Sequence, residues 1–193
     1  MGNMQSENKE ENKMSKNVLI LMGSPRKKGN TSILCDEFKR GAEEAGNQVE
    51  KIDVVGMKIN GCLGCNGCQR NGGTCVQKDD MQGIYQKILT ADVVVLASPI
   101  YYYTWTAQLK AVIDRTYAML ATMKDKTFYM ISTCMSPDES WCQMLIDSFR
   151  NYLACYPESV TEGGYVFGFE CGAPGDVKER DAMQKAYDMG RNI

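Results

Sequence analysis

The chain has 193 residues, 44% hydrophobic and 24% charged, a composition that suits one domain with a full core. Its net charge of −2 gives no electrostatic case for nucleic acid, no apolar run approaches the ~18 residues of a membrane span, and no signal peptide is visible. Histidine is absent, which excludes Ser-His-Asp and Cys-His catalysis, histidine-ligated zinc and Rieske-type ligation, and the nine cysteines read as reduced, cytosolic thiols.

Residues 1–16 are polar and unpatterned, as expected of a disordered leader ahead of a single domain over 17–193. The leader's Met1-Gly2, with Ser6 behind it, fits the short myristoylation pattern. Val18–Met22 is a continuous apolar run ending in Gly-Ser-Pro, the signature of a buried parallel strand. Thr31–Ala45 places Leu34, Phe38, Ala42 and Ala45 on one helical face, and Gly46 stops it. Gln48–Val54 is a weaker strand. A cysteine-rich loop follows over 61–76, and then a helix over Asp79–Thr90 with two carboxylates at its positive end.

Asp92–Ala97 is the central strand. Leu109, Val112, Ile113, Thr116, Tyr117 and Leu120 form the stripe of an amphipathic helix. Thr127–Ser132 is a fourth strand, Trp141 to Tyr152 a helix, Gly164–Phe169 a fifth strand and Lys178–Arg191 a closing helix. Five βα units without repeats predict an α/β fold with a doubly wound, five-stranded parallel sheet in three layers.

Two loops carry binding chemistry. The first strand runs into Gly23-Ser24-Pro25-Arg26-Lys27-Lys28-Gly29-Asn30-Thr31-Ser32 and then a helix, whose free N–H groups suit a phosphate. Ser24, Asn30, Thr31 and Ser32 add neutral donors, and Arg26 a cation. Neither a Walker A loop nor a G-x-G-x-x-G pattern is present, and a plain capped turn is the bland alternative. The third strand ends Ser98-Pro99-Ile100-Tyr101-Tyr102-Tyr103. In an open α/β sheet, ligands bind beyond the carboxyl ends of the strands, where this turn supplies walls for a planar ring.

Four cysteines crowd one stretch: Cys62, Cys65, Cys68 and, after six residues, Cys75. Glycines 61, 64 and 67 let the backbone turn tightly enough for the thiols to converge on one metal centre. The spacing leaves open a [4Fe–4S] cluster, unliganded or redox-active thiols, and zinc. Zinc sites usually pair two C-x₂-C units across a longer loop. Cys35, Cys142, Cys155 and Cys171 read as core or helix-face residues, with Cys134, in the loop after the fourth strand, the exception among them.

The segments GSPRKKGNTSIL, GCLGCNGC with CVQKDDM, ASPIYYYTWTAQLKAVIDR and APGDVKERDAMQKAYDMGRNI resemble the NADPH-dependent FMN reductase branch of the flavodoxin-like flavoproteins, nearest its iron–sulfur flavoprotein group. The resemblance runs from about Lys16 to the C-terminus. It implies strand order 2-1-3-4-5, with FMN at the switch point between strands one and three. The phosphate would lie on Ser24, Arg26, Asn30, Thr31 and Ser32. The ring would lie against Pro99, Ile100, Tyr101, Tyr102 and Tyr103, with the loop from Thr133 and Cys134 to Ser136 on its other side. It further implies a [4Fe–4S] cluster on Cys62, Cys65, Cys68 and Cys75, and a homodimer or homotetramer. Ferredoxin or NAD(P)H would be the electron donor and a small molecule the acceptor. A flavodoxin-like electron carrier and a thiol or metal sensor are the rival readings.

Overall fold

The computed structural model describes residues 14–156 and 160–193; the myristoylation pattern lies outside them. Five parallel strands form one sheet in the order β2-β1-β3-β4-β5: β1 Asn17–Met22, β2 Gln48–Asp53, β3 Val93–Pro99, β4 Lys126–Thr133 and β5 Val160–Gly168. The helices are α1 Asn30–Glu44, the single turn α2 Gly67–Arg70, α3 Met81–Thr90, α4 Ala107–Arg115, α5 Gln143–Ala154 and α6 Ala182–Arg191. The doubly wound parallel sheet is the one expected from the βα alternation.

Continuous apolar runs make this possible, because both faces of each inner strand are covered. In β1 and β3, Leu19, Leu21, Val94 and Leu96 pack with α3, α4 and α5. Their alternates Val18, Ile20, Met22, Val93 and Val95 pack with α1 and α6. On that second face α1 and α6 touch backbone to backbone: a Cβ on Gly41 would lie 2.1 Å from Tyr187 O, and one on Gly190 2.1 Å from Phe38 O. Among the described residues no helix is long and apolar enough to cross a membrane.

Several boundaries differ from the sequence pattern for local reasons. Ser15 and Lys16, placed in the leader, are tied down: the Ser15 hydroxyl donates to Gly46 O at 2.8 Å, and Lys16 O accepts from Gln48 N–H at 2.9 Å. The fourth helix stops at Arg115 and gives way to a 3₁₀ turn over Thr116–Met119. There the Tyr85 O–H takes the Arg115 carbonyl (3.0 Å), and the Thr116 hydroxyl takes that of Ile113 (2.7 Å). Tyr117 and Leu120 are left partly exposed.

β5 begins at Val160 because a bulge absorbs Gly163, which lies flat against the Tyr129 ring. The closing helix is divided, a 3₁₀ turn over Asp176–Glu179 preceding α6, with Arg180 extended between them.

Candidate flavin cleft and the cysteine loop

At the carboxyl ends of the strands, hydrogen bonds lock the β1–α1 and β3–α4 loops together. Gly23 N–H donates to Ala97 O (2.8 Å), the Thr106 hydroxyl donates to Gly23 O (2.8 Å), and Thr106 N–H donates to Ser98 Oγ (3.0 Å). Gly23 must be glycine here, since a Cβ would lie 2.6 Å from that of Leu109. The β4–α5 loop joins through the Thr31 and Thr133 hydroxyls, 2.7 Å apart, and through Ile100 N–H on Thr133 O at 2.9 Å.

Between these loops opens a cleft of about 200 Å³. One wall is Ser24, Arg26, Gly29, Asn30 and Thr31; the facing walls are Pro99, Ile100 and Tyr101, then Thr133, Cys134 and Met135, then Cys171 and Gly172. Gly29 begins α1 without a side-chain cap, and the first intrahelical bond runs from Ile33 N–H to Gly29 O (3.1 Å). The N–H groups of Asn30, Thr31 and Ser32 therefore precede any helical partner and carry the helix's partial positive charge. That arrangement fits an anion, and the phosphate of FMN is of the right chemistry. A larger groove of about 330 Å³, bordered by the Lys87–Glu50 ion pair, lies at the opposite, amino end of the sheet.

Nine of the twelve expected cleft residues come together: Ser24, Arg26, Asn30, Thr31, Pro99, Ile100, Tyr101, Thr133 and Cys134. Three side chains do not. Ser32 turns away and accepts from Lys51 Nζ at 2.9 Å. Tyr102 and Tyr103 occupy a left-handed turn (φ 48° and 66°) that swings them outward. Tyr102 is 97% exposed, and Tyr103 stacks on Trp141 with ring centroids 6.4 Å apart.

Asn30 lies in the wall, but its side chain is already committed. Its amide donates to Ala173 O (2.8 Å), and its carbonyl accepts from Gly175 N–H (2.8 Å) and Val177 N–H (3.4 Å). Arg26 likewise reaches across the cleft to Gly172 O at 3.2 Å. The loop after β5, with Cys171 and Gly172, is a wall that the sequence reading missed. The one available signal was its place at the carboxyl end of a fifth parallel strand.

The cysteine loop is anchored at both ends by one buried ion pair. Arg115 Nη1 and Nη2 donate to the two Asp79 oxygens at 2.9 and 3.0 Å, and Nη1 also donates to Asn60 O at 2.9 Å. Asp79 in turn accepts from Asn60 N–H (3.1 Å), directly ahead of Gly61 and Cys62. Hydrogen bonds from Arg115 hold the Asp79 carboxyl below its ordinary value against the opposing effect of burial.

Asn66, at φ 53°, starts the short helix α2 that carries Cys68. Cys62 and Cys65 are exposed, while Cys68 and Cys75 pack partly against the core. Among the described residues no three cysteine or carboxylate side chains are grouped as a metal site. Four thiolates are the right donor chemistry for an iron–sulfur cluster. Their arrangement here does not gather them around one.

The family model for NADPH-dependent FMN reductase matches residues 16–167. An iron–sulfur flavoprotein of Archaeoglobus fulgidus is 35% identical over 178 residues, covering 90% of this chain and 76% of its own length. Another, from Methanocaldococcus jannaschii, is 38% identical over 183 residues, covering 91% and 94%. Among solved structures, the NAD(P)H:quinone oxidoreductase from Methanothermobacter marburgensis shares the fold. Its TM-score is 0.76 at 20% identity, with 93% of this chain and 96% of that chain covered.

Proposed function

Since the chain belongs to the NADPH-dependent FMN reductase family, we propose that it is an FMN-dependent oxidoreductase of the iron–sulfur flavoprotein kind. The observation that carries this reading is the cleft at the switch point between β1 and β3, with an uncapped helix start on one side and the Pro99–Tyr101 turn on the other. The N–H groups of Asn30, Thr31 and Ser32, with Ser24, Thr31 and Arg26, would hold the phosphate. Asn30 itself acts as the clamp that keeps the loop around Ala173–Val177 in place.

FMN, when bound, supplies transfer of two electrons as hydride or of one electron at a time. The chain's own part is to hold and enclose it. Pro99, Ile100 and Tyr101 would form the wall for the ring, with Thr133, Cys134 and Met135 across from them, shielding it from water. No protein acid or base is needed, which agrees with a sequence that lacks histidine. NAD(P)H would be the donor and a small molecule such as a quinone the acceptor, in a cytoplasmic homodimer or homotetramer.

Cys62, Cys65, Cys68 and Cys75 would hold a [4Fe–4S] cluster, with ferredoxin as donor in that case. The thiols as arranged do not group around one centre. That same observation favours a second reading, a cluster-free NAD(P)H-dependent FMN or quinone reductase.

One anaerobic preparation separates the readings. Its visible spectrum is recorded, iron and acid-labile sulfide are assayed, and NADPH is then added with a quinone. Flavin bands with about four irons per chain support the iron–sulfur flavoprotein. Flavin bands and turnover without iron support the reductase, and no flavin after reconstitution refutes both.

A further inference from the structure

Cys134 and Cys142 differ from the other cysteines in being paired. Their sulfurs lie 3.8 Å apart, both residues are buried, and only eight positions separate them. Cys134 is the middle residue of the central wall of the cleft, with its backbone fixed on both sides. Its N–H donates to Gly168 O (2.9 Å), and its carbonyl accepts from Cys171 N–H (2.8 Å). Cys142 is fully buried, does not line the cleft, and stands immediately ahead of α5. Between them runs a largely exposed turn, in which Met135 is 79% and Trp141 52% exposed. A disulfide needs the two sulfurs at about 2.04 Å, so they must approach by ~1.8 Å.

We propose that Cys134 and Cys142 are a redox-active dithiol set in the wall of the cleft, with Cys134 the attacking sulfur, Cys142 the resolving sulfur and low-molecular-weight disulfides the co-reactant class.

Position assigns the roles: Cys134 lines the cleft, where a small disulfide can reach it, and the fully buried Cys142 does not. The hydrogen bond with Cys142, together with the Ser136 N–H and hydroxyl, outweighs burial and holds the Cys134 thiol below its ordinary value. Donation to Cys134, and then burial, push Cys142 up. Cys171, also on the cleft, is pushed up to about 11 by burial and keeps its proton on Phe169 O at 3.2 Å. It is a bystander.

The Cys134 thiolate attacks one sulfur of the small disulfide. A mixed disulfide forms, the small S–S bond breaks, and the first small thiolate leaves and takes a proton from water. Cys142 then attacks Cys134 Sγ and passes its proton to the departing small thiolate, which leaves as the second thiol. Two protein thiols have lost two electrons, and one small disulfide has gained them. Closure also removes the thiolate charge from the cleft wall.

The test is thiol mapping of the full-length protein as purified. The protein is equilibrated anaerobically in mixtures of reduced and oxidised glutathione, then trapped by alkylation and digested. A Cys134–Cys142 disulfide is expected ahead of any other pair. Cys142→Ser should retain glutathione on Cys134, and Cys134→Ser should take up none on Cys142. A Cys134–Cys171 disulfide, glutathione persisting on wild-type Cys134 beside a free Cys142, or full alkylation of both thiols at the most oxidising ratio overturns the pairing. The wild-type measurement needs no variant to fold and no flavin signal, so it stands or fails apart from the flavin reading of the cleft.

Discussion

Replacing Asp79 by asparagine removes one charge and almost no volume, and it strikes the anchor of the cysteine loop. The Arg115 and Asp79 side chains are 1% and 6% exposed, and the guanidinium makes two bonds to the carboxylate and one to Asn60 O. Among the described residues Arg115 Nε has no further partner, so Asp79 is the counterion. Asparagine can accept only one of the two bonds and turns an N–H₂ group toward the other. Breaking a buried pair from one side costs about 3–5 kcal/mol, a large part of the ~5–15 kcal/mol that holds a domain together.

With a urea slope of about 2 kcal/mol per molar, the midpoint should fall by about 2 M at neutral pH with little change in slope. The sign of the pH dependence follows from the lowered Asp79 value. The carboxylate's contribution is fully present above its unfolded value of about 3.9. It is lost as pH falls through the lower folded one. The gap between wild type and Asp79→Asn should therefore close as pH drops below about 4. In the variant, Cys62 and Cys65 should also label faster, because Asn60 loses its hold. A loss under about 1 kcal/mol at pH 7, or a gap that widens in acid, would refute a charge-based anchor.

Gly41→Ala sets a Cβ 2.1 Å from Tyr187 O and must push α1 and α6 apart. A loss of about 3 kcal/mol is expected in thermal melts, and an unchanged melting temperature would contradict the backbone contact. Asn30→Ala strips three hydrogen bonds from the Ala173–Val177 loop. It should cost about 2 kcal/mol and weaken FMN binding roughly tenfold by titration, whereas unaltered binding would remove the clamp from the site. Iodoacetamide should label Cys134 at lower pH than Cys171, which burial pushes up, and the reverse order would undo their assignment.

The five strands and the two loops were legible because they depend on local pattern: apolar runs, a hydroxyl-rich turn into a helix, and a proline-led turn after β3. The strand order came from the family resemblance instead. What each side chain does depends on chain that returns from far away. Asn30 looks like a phosphate donor until the loop after β5 arrives and takes its amide, 143 to 147 positions later. Ser32 sits in the right turn, yet helical geometry aims it at Lys51. Three consecutive tyrosines promised an aromatic wall. A left-handed turn at Tyr102 and Tyr103 leaves only Tyr101 in the cleft. The Arg115–Asp79 anchor joins residues 36 positions apart that read separately as a helix end and a helix start. Cys142 read as one more core cysteine, because the turn that folds it onto Cys134 has no periodicity.

The central claim is that the cleft holds FMN by its phosphate. Equilibrium titration of the flavin-free protein with FMN and with riboflavin, which lacks that phosphate, tests it most directly. Charge-assisted bonds to the free N–H groups at the start of α1 and to Arg26 predict that FMN binds at least ~30-fold more tightly, with the difference shrinking in Arg26→Gln. Equal affinity for the two flavins, or binding of neither, would contradict the account.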